Sequence, residues 1–217
     1  MSDWRASRIP VRTRVLTPQD DLVAAVREYC GRLIQPGDIV AISESVVAIT
    51  QGRAVRPDQV RPGWLARFLC RFPAKHGSLA TPAAMQLAIN EVGAVRVLLG
   101  AAAAAAGRLF GRRGDFYRVA GPELRLIDDI AGTMPPFDDY IVLGPKEPEK
   151  VARRIRNEVG VEAAIVDVND LGCVDILGAS EGVDRELVVR LLRDNPGGND
   201  DQQTPFVILR PGRFPQN

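Results

Sequence analysis

The stretch that most constrains this chain runs from Tyr140 to Gly178, YIVLGPKEPEKVARRIRNEVGVEAAIVDVNDLGCVDILG. An apolar run, Tyr140 to Leu143, stops at Gly144-Pro145. Behind it Val151, Ile155 and Val159 recur at the spacing of one helical face. Pro148 suits the first turn of that helix and Gly160 the residue just past its end. A second apolar run, Ala163 to Val166, leads straight into Asp167, Asn169 and Asp170. The pattern predicts strand, helix, strand and an acidic turn. Its carboxylates would stand at the rim of a sheet, where a strand's last side chains can hold a metal ion or a phosphorylated ligand. Any chemistry is expected here.

With 217 residues, nearly half of them hydrophobic, the chain can bury a core as one domain or as one domain carrying a large insertion. Twenty-eight basic residues against 27 acidic ones leave a net charge of +1, so the whole chain has no electrostatic footprint for DNA or RNA. Cys30, Cys70 and Cys173 are too widely spaced for a disulfide framework or a zinc set, which fits a reducing cytoplasm. The basic N-terminus is followed by no apolar core of a secretory signal, and the apolar stretch Val97 to Gly107 is too short to span a bilayer. A soluble, cytoplasmic protein with no membrane partner is the expectation.

Residues 8–16 alternate as a first strand. Thr17, Pro18 and Asp20 read as the cap of a helix carrying Leu22, Val26 and Leu33, which stops at Pro36-Gly37. Asp38–Ser43 and Ser45–Thr50 read as a strand and its continuation, interrupted by Ser43, Glu44 and Ser45. A polar break between buried segments needs pairing or use, which makes it a second candidate site. From Pro62 to Gly114 helix follows helix: one around Trp64, Leu65, Phe68 and Leu69, one capped by Thr81-Pro82, and an alanine-rich one from Gly93 to Phe110. The run Ala101–Ala106 predicts a tightly packed internal helix rather than a membrane segment, and Arg108, Arg112 and Arg113 a solvated basic helix end. Phe116–Ala120 and Glu123–Ile127 read as a hairpin turning at Gly121-Pro122. A helix beginning at Asp184 and a last strand, Thr204–Arg210, close the chain.

Three segments deliver carboxylates at expected strand ends: Asp128 and Asp129, Asp167 and Asp170, and Asp175. A hard cation such as Mg²⁺ needs only one or two of them alongside waters and substrate phosphates. The plainer reading of any single aspartate is a turn or cap in which it bonds its own backbone. Asp167 stands out because it follows four apolar residues and shares a strand face with Asn169. The single histidine, His76, has no partner pattern and reads as a surface residue; Cys173 reads as a small filler. Nucleophile elbow, dinucleotide fingerprint, P-loop and metalloprotease helix are all missing.

Gly37–Arg53 (GDIVAISESVVAITQGR), Tyr140–Arg156 (YIVLGPKEPEKVARRIR) and Ala163–Gly172 (AAIVDVNDLG) together resemble the gamma-glutamyl ligase family of deazaflavin coenzyme F420 biosynthesis, with the helical stretch 62–112 outside the resemblance as an insertion. The resemblance implies an α+β, mixed-sheet fold forming an intertwined homodimer, with GTP as phosphate donor and Mg²⁺ or Mn²⁺ at acidic residues. The implied reaction forms an acyl phosphate on a small-molecule carboxylate acceptor, which the amine of L-glutamate or another amino acid attacks. It makes Asp128, Asp129, Asp167 and Asp170 metal candidates and Ser43, Ser45, Arg53 and Asn169 nucleotide candidates, and singles out no catalytic residue. The chain departs from the family at Glu44–Arg53, where the usual Ser-Lys-Ile-Val-Ser-Lys-Ala-Glu-Gly-Arg loses both lysines, and at Val168–Gly172, where asparagine stands for the aspartate of Ser-Asp-Thr-Phe-Gly. The family's Asp-x-Ser-Asn is met at best by Asp128-Asp129. A non-catalytic nucleotide- or small-ligand-binding member of the same fold is the rival expectation.

Overall fold

The computed structural model describes residues 7–73, 78–129, 136–169, 171–198 and 202–212, the side chain of Asp129 excepted. The chain divides into two compact units, one built from 1–52 and 145–217, the other from 53–132 and 136–144. It is an α+β protein with a mixed main sheet.

The first unit begins with β1 (Ser7–Val11), α1 (Leu22–Cys30), β2 (Ile39–Ser43) and α2 (Glu44–Thr50). The first strand ends well short of residue 16, and the first helix starts later than Thr17. Thr17 and Asp20 close a turn of their own, the Thr17 amide donating to Asp20 Oδ2 over 2.8 Å, while Asp21 accepts from the Ala24 amide and caps α1. Leu33 lies beyond the helix and is exposed. The expected strand 45–50 is a helix. Its β-branched Val46, Val47 and Ile49 are strand-like locally. A turn after Ser43 lets Val46 and Val47 pack into the cluster that covers Val40 and Ile42, and that burial overrides propensity.

The second unit follows with β3 (Ala54–Val55), α3 (Trp64–Leu69), α4 (Pro82–Val92), α5 (Ala94–Leu109), α6 (Asp115–Ala120), a 3₁₀ turn over Pro122–Leu126, β4 (Asp128–Asp129) and β5 (Ile141–Val142), the short strands ordered β3-β5-β4. The three helices from 64 to 109 fall where the sequence puts them, and Thr81 caps α4 by accepting from the Ala84 amide. Between α4 and α5 the axis bends by 114° at Gly93, whose φ is +87°. The expected hairpin 116–127 is instead α6 and the 3₁₀ turn: Phe116, Tyr117 and Ala120 share a helical face, and α6 crosses α5 closely. A β-carbon at Gly100 would lie 2.6 Å from that of Ala120, and one at Gly107 would strike the Asp115 carboxylate. Asp115 is itself buried and accepts from Arg118 over 2.7 Å.

Only the inner face of α5, with Val97, Gly100 and Gly107, is buried. Val95, Leu98, Leu99, Leu109 and Phe110 are exposed, so the alanine-rich helix is not the internal one its composition predicts. Among the described residues no single helix is long and apolar enough to cross a membrane.

The chain returns to the first unit with α7 (Pro148–Val159), β6 (Glu162–Val168), β7 (Val174–Ala179), α8 (Arg185–Leu192) and β8 (Phe206–Arg210). The strand order is β1-β8-β2-β6-β7, with β2 and β6 parallel and the other pairs antiparallel. One face (Val40, Ile42, Ala163, Ile165, Phe206, Ile208) is covered by α1, α2 and α7, the other (Ile39, Ala41, Ala164, Val166, Val207, Leu209) by α8. Helices on both faces explain why the inner strands read as unbroken apolar runs, each large side chain contributing about 1.5–3 kcal/mol by burial. The stretch 140–178 forms strand, helix and strand as the pattern predicts, but its two strands join different sheets, β5 the small one and β6 the large one. Pro148 and Gly160 bound α7 as expected, Gly160 with φ +84°.

Candidate functional site

In the first unit the parallel register sets Ser43, the last residue of β2, beside Val166, two residues before β6 ends, so the carboxyl ends of two parallel strands lie close together, the place where ligands bind open sheets. From Ser43 the chain turns straight into α2; Ser43, Glu44 and Ser45 are half-buried, and one carboxylate oxygen of Glu44 is shielded from solvent. The Ser43 amide is taken by the Pro205 carbonyl at 2.9 Å.

Asp167 lies within β6 rather than after it, on the face of Ala163 and Ile165, and its antiparallel partner across the ladder is Asp175 of β7. Two carboxylates in directly opposed positions repel. Asn169 builds the turn between these strands: its Oδ1 accepts from the Leu171 amide at 3.0 Å and the Cys173 amide at 3.1 Å, and its own amide donates to the Cys173 carbonyl. That oxygen is thus engaged in an Asx turn. Asp170 lies outside the described residues.

In the second unit Asp128 pairs with Val142 and Asp129 with Ile141. Asp128 is exposed as a residue, yet partial desolvation of its carboxyl pushes its pKa up. Arg53, the expected phosphate ligand, is 11% exposed and already engaged. Its Nε donates to the Gly144 carbonyl at 2.6 Å and its Nη2 to Glu91 Oε2 at 2.7 Å. Glu91 went unrecognised in the sequence, although it is the sole acidic residue between 61 and 113. A second unforeseen pairing joins Gln51 to the backbone of Lys146, its amide nitrogen donating to the carbonyl at 2.9 Å and its oxygen accepting from the amide at 2.8 Å.

Within either unit, no three His, Cys, Asp or Glu side chains come together as a metal set among the described residues. The arrangement that fits a hard cation is the opposed pair Asp167 and Asp175, whose repulsion a divalent ion would relieve. His76 lies outside the described residues. Cys30 is buried and its thiol is pushed up to about 12 by desolvation, which keeps it protonated and unreactive.

A family model described as F420-0:Gamma-glutamyl ligase matches residues 10–111. Over that span the chain is similar to the F420-0:gamma-glutamyl ligase family. No curated protein matches the chain. The ligase-family match takes in β2, α2, Ser43, Ser45 and Arg53, and it runs on through α3, α4 and α5, the helices that the shared motifs had left aside as an insertion. Asp128, Asp129, Asp167, Asp170 and Asp175 all lie beyond it.

Proposed function

We propose that the protein is an acid–amino acid ligase that spends a nucleoside triphosphate, GTP in the first instance, to join the amine of L-glutamate or another amino acid to a small-molecule carboxylate. The observation that carries this reading is the ligase-family match over 10–111, which includes the end of β2 where the rim site begins. An oxygen of the acceptor carboxylate attacks the γ-phosphorus, the bond to the β-phosphate breaks, and GDP leaves. The amine then attacks the acyl carbon of the resulting acyl phosphate, which expels inorganic phosphate and sheds a proton as the amide forms. Ser43 and Ser45 offer hydroxyl donors to phosphate oxygens at the rim. Asp167 and Asp175, with Asp170 as a further candidate from the sequence, would hold Mg²⁺ or Mn²⁺; Asp128 and Asp129 are the alternative holders in the second unit. When bound, that ion supplies neutralisation of phosphate charge. A cytoplasmic homodimer is part of the same proposal.

The second reading, a non-catalytic nucleotide- or small-ligand-binding member of the family, is favoured by two specific observations. The segment Glu44–Ile49 carries no lysine, and the Arg53 guanidinium is held by Glu91 and Gly144. Incubation with GTP or ATP, Mg²⁺ or Mn²⁺, L-glutamate and a panel of carboxylic acids separates the two. Acceptor-dependent phosphate release with a matching amide mass supports the ligase. Nucleotide binding without turnover across the panel supports the binding module, and neither binding nor turnover removes both.

A further inference from the structure

The helical unit presents two apolar stripes to solvent. On α5 the positions facing away from the core are Val95, Leu98, Leu99, Ala102, Ala105, Ala106 and Leu109, followed by Phe110, with no polar side chain among them; Leu109 is 85% exposed and Phe110 80%. Apart from Arg96 and Arg108, which flank the buried face, α5 carries only apolar side chains, and its outer stripe is the kind of surface that takes a cover. On and just after α3, Trp64, Phe68 and Phe72 recur every four residues; Trp64 is 79% exposed, and the two phenylalanines stack edge to face. The stripes are tied at one end, where Arg108 Nη2 donates to the Phe72 carbonyl at 3.1 Å. Single exposed apolar residues are ordinary, whereas continuous stripes mark an interaction surface.

Charge decides what covers it. The chain as a whole is nearly neutral, but from Arg61 to Arg113 it holds eight arginines or lysines against one acidic residue, Glu91, which is itself paired with Arg53; Arg96 and Arg112 pair with Glu123 and Asp115 beyond that span, leaving the remaining six to set the sign of the face. Arg61, Arg67, Arg71, Arg96, Arg108 and Arg112 accompany the two stripes. A second copy laid on this face would bring like charges together. A nucleic acid would find no donors along the α5 stripe. Aliphatic and aromatic side chains ringed by arginine match the boundary between acyl chains and anionic headgroups, with tryptophan at the level it favours. We propose that this face of the helical unit lies on an anionic phospholipid surface, α5 entering the headgroup–acyl boundary without spanning the bilayer and the arginines meeting lipid phosphates. The proposal is independent of the ligase reading.

The test is flotation of the full chain with vesicles of phosphatidylcholine alone and of phosphatidylcholine with about a third phosphatidylglycerol. Trp4 is replaced by phenylalanine so that Trp64 is the only tryptophan. Binding to the anionic vesicles alone, a blue shift of Trp64 emission on binding, and weakening as salt is raised are expected. Leu109→Glu with Phe110→Glu should weaken binding at least tenfold with an unchanged melting curve, since both side chains face solvent. Leu98→Gln with Leu99→Gln serves as a second pair should the first fail to fold. Arg71→Gln should weaken it about fivefold. Equal binding to neutral vesicles, no binding to either, preference for an oligonucleotide, or a dimer that Leu98→Glu splits would each overturn it.

Discussion

Gly178 of β7 lies so close under the start of α7 that a β-carbon there would collide with the carbonyl carbon of Pro148 and the amide nitrogen of Glu149. Backbone cannot move aside as a side-chain end can. Gly178→Ala should therefore lower stability by about 1–3 kcal/mol, as overpacking does. Urea unfolding checks this through a lowered midpoint at unchanged slope; an unchanged midpoint would mean that α7 is free to shift.

Asp167 and Asp175 oppose one another across β6 and β7. In EDTA, Asp175→Asn should raise stability by about 0.2–1 kcal/mol through lost repulsion. With millimolar Mg²⁺ or Mn²⁺ the order should reverse, the wild type gaining melting temperature and the variant not. Identical cation response in both proteins would remove this pair from the list of holders.

Asp128 keeps its proton to a higher pH than its ordinary value near 3.8 because burial of the carboxyl disfavours the charged form. The folded chain then binds more protons than the unfolded one between the two values. The stability this contributes is full below the ordinary value and lost as pH rises through the folded one. Asp128→Asn should flatten that part of the stability–pH curve, read by thermal melts taken from acid to neutral pH.

Arg210 clasps buried Asp38, Nε to Oδ1 at 3.0 Å and Nη2 to Oδ2 at 2.8 Å, while Asp38 also accepts from the Gln35 amide. Arg210→Met leaves the carboxylate without its cation and should cost about 3 kcal/mol. Adding Asp38→Asn should recover part of the loss in a double-mutant cycle. A loss under 1 kcal/mol would show that water takes over the arginine's role.

Where local chemistry and packing agree, the elements were legible: Pro148 and Gly160 bound α7, Thr81 caps α4, and Asp184 caps α8 by accepting from the Leu187 amide. Where they compete, the sequence misled. Val46, Val47 and Ile49 favour a strand in isolation, and the aromatic run Phe116-Tyr117 reads equally as one face of either element. Apolarity alone could not say which side of α5 faces the core, because both sides are apolar. The sequence puts Asp167 at a strand end, whereas it lies inside β6. Its opposition to Asp175 depends on a ladder register that the bulge near Ile165 and Val166 resets, and no spacing in the sequence encodes it.

β8 sits between β1 and β2, and among the described residues β1 has no other neighbour in the sheet. A growing polypeptide therefore carries β1 and β2 with an empty lane between them until β8 leaves the ribosome. The first unit can close only once β8 has been made, so a stop codon a few positions upstream of Phe206 should yield an open, aggregation-prone sheet rather than a slightly shortened protein.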